Sequence, residues 1–225
     1  MTDYQPVRDA VAAACRRLAA EGLLIGTAGN VSIVHAETGN VAVTATGVVL
    51  ADCRADQVSI VDPQGSLVDG EFQPTSELEL HLAVIAASGV GAVVHTHAPA
   101  ATAVSCVRDS LPVIHYQQLL LGGEIAVAPY ATFGSSALAD SVNSALSGRS
   151  AVLMANHGAV TTGATIEQAV ENSLLLEWIC RLLIDSSTLG SPRFLDEAAQ
   201  TAVIEAAINR SYGTVQPVTT DNKEN

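Results

Sequence analysis

Ala92-Val93-Val94-His95-Thr96-His97 is the stretch from which the rest of this chain can be read. Three small or apolar residues, Ala92, Val93 and Val94, lead into two histidines spaced two apart. Strand side chains alternate between faces, so residues two apart point the same way. His95 and His97 can therefore reach one metal ion together. Two histidines on a polar, solvent-facing strand end would be the plainer explanation. The apolar residues before them and Ala98-Pro99 after them argue instead for a partly buried strand end, and so for ligands.

Outward from this strand, helical and extended patterns alternate. Pro99 suits the first turn of a short helix. On the other side, Ser76–Ala87 reads as a helix, with Ser76 as N-cap and Glu79 completing a capping box. Residues 7–20 form an amphipathic pattern that stops near Gly22. Asn30-Val31-Ser32-Ile33-Val34 and residues 40–45 alternate around a turn at 37–40 and predict a hairpin. Residues 58–62 continue the sheet and Asp62-Pro63-Gln64-Gly65 turns the chain. Residues 111–116 and 124–130 read as further strands, Ser135–Leu146 as a helix and 151–156 as a buried strand. Thr165 with Gln168 forms a second capping box and opens a long helix to about Leu183; Phe194–Asn209 is the last helix. The mixture predicts a single α/β layered domain, a central sheet flanked by helices. It spans residues 1–213 and is followed by a polar tail at 214–225.

Composition narrows the function. Hydrophobic residues are 48% of the 225, enough for a sizeable core, and aromatics only 4%, so Ala, Val, Leu and Ile must build it. The net charge of -13 excludes the basic face that nucleic acid requires. No apolar run is long enough to span a membrane, and the polar start Met1–Val11 lacks the pattern of a secretion signal. The four cysteines are scattered, which fits a reducing cytoplasm and argues against a cysteine-based metal site. The single lysine, Lys223, lies in the polar tail. A buried lysine for Schiff-base chemistry is thus missing.

A third histidine, His157, follows the buried run ending at Asn156 and precedes Gly158, at another strand end. Three histidines at two strand ends match what catalytic zinc needs, three protein ligands and an open fourth position. Pro74-Thr75-Ser76-Glu77 adds a carboxylate and two hydroxyls at a helix start, where free N–H groups bind phosphate without lysine. His81, four residues after Glu77 on the same helix face, reads as a supporting residue rather than a ligand. Gly26–Ser32 and Thr44–Gly47 are small-residue turns, and taken singly they are only turns. The first opens toward a strand and so is no dinucleotide fingerprint.

Taken in order, G-T-A-G-N-V-S, T-A-T-G, P-T-S-E, H-T-H, I-H-Y, A-P-Y-A-T-F-G and N-H-G resemble the class II aldolase/adducin family, most closely its L-fuculose-1-phosphate aldolase branch. The resemblance runs from the first helix to Arg210-Ser211-Tyr212-Gly213. It implies a mostly antiparallel sheet and a homotetramer with active sites at subunit interfaces. It implies Zn2+ held by His95, His97 and His157, with Glu77 able to join them and acting as catalytic acid/base. Tyr116, from a neighbouring subunit, would protonate the aldehyde oxygen, and Tyr212 would assist. The phosphate would rest against Gly29, Asn30, Thr46, Gly47, Thr75 and Ser76. Ala45 stands where the family often has proline, and Thr75 where it often has serine; both changes keep the hydroxyl and N–H donors.

The implied reaction is reversible cleavage of a phosphorylated ketose, such as L-fuculose 1-phosphate or a 5-deoxypentulose 1-phosphate, into dihydroxyacetone phosphate and an aldehyde. Two alternatives share the fold: a pentulose-phosphate 4-epimerase, which usually carries aspartate where this chain has Glu77, and a methylthioribulose-1-phosphate dehydratase. A third, an adducin-like interaction module without catalysis, sits poorly with three histidines and Glu77 all present.

Overall fold

β-Branched and small apolar residues dominate the extended segments, and each forms a strand of the central sheet in a computed structural model that describes residues 2–210 and Gly213. Among the described residues, the strands are β1 (Asn30–Val34), β2 (Val41–Thr44), β3 (Val58–Val61), β4 (Leu67–Asp69), β5 (Ala92–Thr96), β6 (Ser110–Leu111), β7 (Ile125–Ala128), β8 (Ala151–Met154) and β9 (Gly158–Gly163). The helices are α1 (Gln5–Ala20), α2 (Leu78–Ser88), α3 (Pro99–Ser105), α4 (Ser136–Leu146), α5 (Ile166–Leu189) and α6 (Glu197–Asn209). The sheet order is β4-β3-β2-β1-β5-β9-β8-β7-β6. Only β7 and β8 run parallel, so the sheet is mixed and mostly antiparallel, as expected.

Period-two alternation feeds two cores. Val94 of β5 packs with Val11 and Leu18 of α1, Val104 of α3 and Ile179 of α5 on one face. Val93 packs with Leu80 and Val84 of α2 and Val142 of α4 on the other. Each such side chain contributes ~1.5–3 kcal/mol on burial. With helices on both faces, central strands read as nearly unbroken apolar runs, and β5 sits near the middle of the sheet.

Several expectations need correction. α2 starts at Leu78, with Glu77 in the N-cap position and no side-chain cap, so the Ser76–Glu79 capping box does not form. The reason is tertiary. Thr75 N donates to Thr44 O, and Ala45 bridges to Pro74, so residues 74–75 are held against the end of β2 and the helix begins later. Of the segment 111–116 only Leu111 is strand, in β6; Tyr116–Leu121 is a 3-10 turn, and Gln118 side-chain bonds to Leu111 O and Gly123 O tie the chain before and after it. α5 continues past Leu183 to Leu189, and α6 begins at Glu197, where Asp196 accepts from Ala199 N. β4 and β9 carried no strand expectation; β4 is exposed at all three residues, and β9 is masked by its glycines and threonines. The expected tail at 214–225 lies outside the described residues.

Candidate active site

β5 ends at the site and its neighbours close around it. β1 pairs with it on one side, Asn30 opposite His95, and β9 on the other, His95 opposite Val160. Two glycines permit this approach. A Cβ on Gly29, at φ +97, would lie 2.8 Å from His95 O. A Cβ on Gly158 would lie 2.2 Å from Thr96 O and 3.3 Å from His95 Cε1. Any side chain at either position would push the strands apart at the histidines. Beyond His97, Pro99 starts α3, whose Ala100 and Ala101 N–H groups donate to the Glu177 carboxylate of α5 at 2.9 and 2.8 Å. That clamp fixes the chain just after the histidine pair.

His157 reaches the same place from the β8–β9 turn, where Asn156 adopts φ 55, a conformation asparagine tolerates better than most residues. One ligand atom from each of His95, His97 and His157 lies within 4.8 Å of the others. His95 Nδ1 donates to Ala159 O at 2.9 Å, which leaves the Nε2 lone pair facing His97 Nε2, also at 2.9 Å. Glu77 closes the cluster, with Oε2 3.2 Å from His95 Nε2 and Oε1 3.5 Å from His157 Nε2. Glu77 Oε1 is buried without a hydrogen-bond partner. Converging imidazole lone pairs beside an orphaned carboxylate oxygen fit a bound cation, with the His95 carbonyl contact fixing the tautomer a ligand needs.

The electrostatics agree. Burial lowers the His97 pKa to about 4, helped by His95 and His157, and the same forces lower His157. Both rings are therefore neutral, with lone pairs to offer. Burial also works to raise the Glu77 carboxyl. The contacts with His95, the Asn30 amide and His157 outweigh burial and hold Glu77 below the usual carboxylate range.

A cavity of about 470 Å³ opens in front of this cluster. Gly29, Asn30, Thr46, Gly47, Thr75, Ser76, Glu77, His97 and His157 all line it, and no Lys or Arg does among the described residues. The Thr46 and Thr75 N–H groups are engaged with Gln73 O and Thr44 O, so these two residues offer their hydroxyls. Asn30 is 4% exposed and its amide is committed: Nδ2 donates to Glu77 Oε2 at 2.9 Å, and Oδ1 accepts from His81. Its side chain thus faces the carboxylate.

Tyr130, Phe133 and Asn156 also line the cavity and were not singled out from the sequence. The available signal was a pair of aromatics in a Pro- and Gly-bounded loop of an aromatic-poor chain. That loop lies on Ser76: a Cβ on Gly134 would come within 2.8 Å of Ser76 O. Tyr116 does not join the cavity. It lines two shallow apolar hollows with Val203, Ala207 and neighbouring residues of α6. Tyr212 lies outside the described residues.

With this geometry in hand, three comparisons are informative. The family described as Class II Aldolase and Adducin N-terminal domain matches residues 9–184. A 5-deoxy-D-ribulose 1-phosphate aldolase of Bacillus thuringiensis serovar kurstaki is 32% identical over 194 residues, 86% of this chain and 91% of that protein. An L-fuculose phosphate aldolase of Escherichia coli (strain K12) is 33% identical over 180 residues, 79% and 82% of the two chains. Among solved structures, an L-fuculose 1-phosphate aldolase superposes with a TM-score of 0.85 at 28% identity, covering 92% of this chain and 97% of that one.

Proposed function

The chain belongs to the class II aldolase and adducin family and is a carbon–carbon lyase of it, and from that premise we propose a zinc-dependent aldolase acting on a phosphorylated ketose. The observation that carries the reading is a single buried carboxylate, Glu77, set against three histidine ligand atoms at the back of a cavity walled by hydroxyls and glycine turns. His95, His97 and His157 would hold the metal, with Glu77 as a fourth ligand when no substrate is present. Bound zinc supplies positive charge that stabilises the negative charge left on the dihydroxyacetone phosphate fragment after cleavage.

The chain's own residues do the rest. The hydroxyls of Thr46, Thr75 and Ser76, with Gly29, Gly47 and the Asn30 backbone nearby, hold the phosphate. They bind it by hydrogen bonds, since no Lys or Arg lines the cavity among the described residues. In the condensation direction the ionised Glu77 carboxylate takes the proton from the carbon beside the carbonyl of dihydroxyacetone phosphate, that carbon forms the bond to the aldehyde carbon, and the aldehyde oxygen takes a proton from Tyr116. Cleavage is the reverse: Tyr116 takes up the hydroxyl proton, the carbon–carbon bond breaks with its electron pair passing toward the carbonyl, and the protonated Glu77 returns its proton to the carbon. Because Tyr116 lies outside the cavity of its own chain, it would come from a neighbouring copy in a homotetramer. Tyr130 and Phe133 at the cavity mouth suit an aldehyde with an apolar end.

Two features favour a cytoplasmic setting: all four cysteines are free, and among the described residues no helix is long and apolar enough to cross a membrane. Substrates named for the relatives, 5-deoxyribulose 1-phosphate and L-fuculose 1-phosphate, head the panel to test. Release of dihydroxyacetone phosphate from at least one, abolished by a chelator and restored by zinc, is the expected result. No release from any ketose phosphate would end this reading.

A further inference from the structure

Ser32, His81, Asn30 and Glu77 form one buried hydrogen-bonded line. Ser32 Oγ lies 2.7 Å from His81 Nδ1, His81 Nε2 lies 2.5 Å from Asn30 Oδ1, and Asn30 Nδ2 lies 2.9 Å from Glu77 Oε2. Ser32 and His81 are completely buried and Asn30 nearly so. Ser32 and Asn30 sit two apart on β1 and so project from one face, toward the first turn of α2 that carries His81.

The direction of every bond in this line is forced by its members. An amide oxygen only accepts, so His81 Nε2 carries the proton. Nδ1 is then a lone pair, and the Ser32 hydroxyl donates to it. With Oδ1 turned toward His81, the NH₂ group of Asn30 is turned toward Glu77. The opposite amide orientation would set a carbonyl oxygen against the Glu77 carboxylate, a repulsive contact, so the carboxylate fixes the amide and the amide fixes the His81 tautomer.

We propose that His81 is a positioning residue for the reaction, acting through Asn30 to hold the Glu77 carboxylate in the orientation that faces the histidine cluster. This rests on Glu77 being the acid/base of the proposed aldolase. His81 touches neither the cavity nor the ligand atoms, so its effect on turnover passes through the amide. Loss of such an outer partner typically costs about 10- to 100-fold in activity.

The test uses the full-length, zinc-loaded protein and the ketose phosphate it cleaves. His81→Leu should lower kcat by about 10- to 100-fold while KM and zinc content stay at the wild-type level. His81→Gln, whose amide can again donate to Asn30, should recover part of the rate. In the Asn30→Ala background, His81→Leu should cause no further loss of kcat, because both changes cut the same line. A residue that merely supports the fold would give losses that multiply. Wild-type kcat in His81→Leu, multiplicative losses in the double variant, or zinc falling in step with activity would each overturn the proposal. If His81→Leu does not fold, Ser32→Ala takes its place: it removes only the hydroxyl that fixes the tautomer, and its smaller kcat loss should likewise vanish in the Asn30→Ala background. Wild-type kcat in Ser32→Ala would then overturn the proposal. Active wild type with an indifferent His81→Leu defeats this inference alone. Wild type that cleaves no ketose phosphate defeats the functional reading and this inference with it.

Discussion

The end of β5 and the face around Tyr116 are built on opposite principles. At the end of β5, buried and half-buried polar side chains converge from three elements: Asn30 from β1, Glu77 and His81 from the start of α2, His157 from the β8–β9 turn. Around Tyr116 the side chains are apolar and open, with Leu120 61% and Ile208 73% exposed. Burying polar groups is costly unless every one has a partner, so the first region is worth building only for chemistry. Leaving apolar surface uncovered forgoes ~25 cal/mol per Å²; in the proposed homotetramer a neighbouring copy would cover this face. One chain thus buries a polar cluster at the back of its cavity, while Tyr116 lies outside that cavity on an open apolar face.

The comparison can be broken in several ways, of which the metal gives the largest effect. Alanine at His95, His97 or His157 should strip zinc from the protein and leave no measurable turnover; metal analysis with full occupancy in all three variants would remove the metal from this region. Next is Glu77→Gln, which keeps the shape but cannot move a proton. Turnover should fall ~10²–10⁴-fold in a protein that still folds and binds zinc, and a near wild-type rate would reduce Glu77 to a carboxylate at a helix start. The link between the two regions comes third. Tyr116→Phe should cost ~10²-fold, and mixed oligomers of Tyr116→Phe with Glu77→Gln should regain activity that neither has alone. A fully active monomer by light scattering would contradict the shared site.

Smaller effects sharpen the picture. Thr46→Val or Ser76→Ala should each remove a charge-assisted hydrogen bond to phosphate, ~1.5–3 kcal/mol, and raise KM with little change in kcat. A wild type that cleaves the unphosphorylated sugar equally well would rule this out. The smallest effect is on stability. Burial first, and then His95, lower the His81 pKa from 6.5 to about 3. The unfolded chain therefore takes up the proton first as pH falls. The stability due to neutral His81 is complete above 6.5 and is lost as the pH drops toward 3. Urea unfolding of zinc-free protein should show ~1 kcal/mol lost between about pH 7 and about pH 5.5, and less in His81→Leu.

Local chemistry made much of this legible in advance. His95 and His97 were found because strand geometry puts alternate residues on one face. Gly158 marked the strand end because only glycine fits so close to Thr96 O. α4 and α5 begin where Ser135 and Thr165 accept from Leu138 N and Gln168 N. The failures share a cause. Ser76 has the composition of an N-cap, but the pairing of Thr75 with Thr44 delays the helix. The run at 111–116 has strand composition, but there the chain leaves the sheet after Leu111 and winds into a 3-10 turn. Tyr130 and Phe133 reach the cavity only because their loop folds over Ser76.

What the sequence determined by itself is the α/β layering, the family and the placing of His95 and His97 on one face of a strand end. These depend on residue type and on spacings of two to four positions, which backbone geometry converts directly into faces and caps. The tertiary structure alone decided that the Asn30 amide meets Glu77 and His81, 47 and 51 positions away, and that Tyr116 lies outside its own chain's cavity. Contacts at that separation are set by which strands pair and how helices close over them, and no local preference of Asn30 or Tyr116 encodes the partner each one meets.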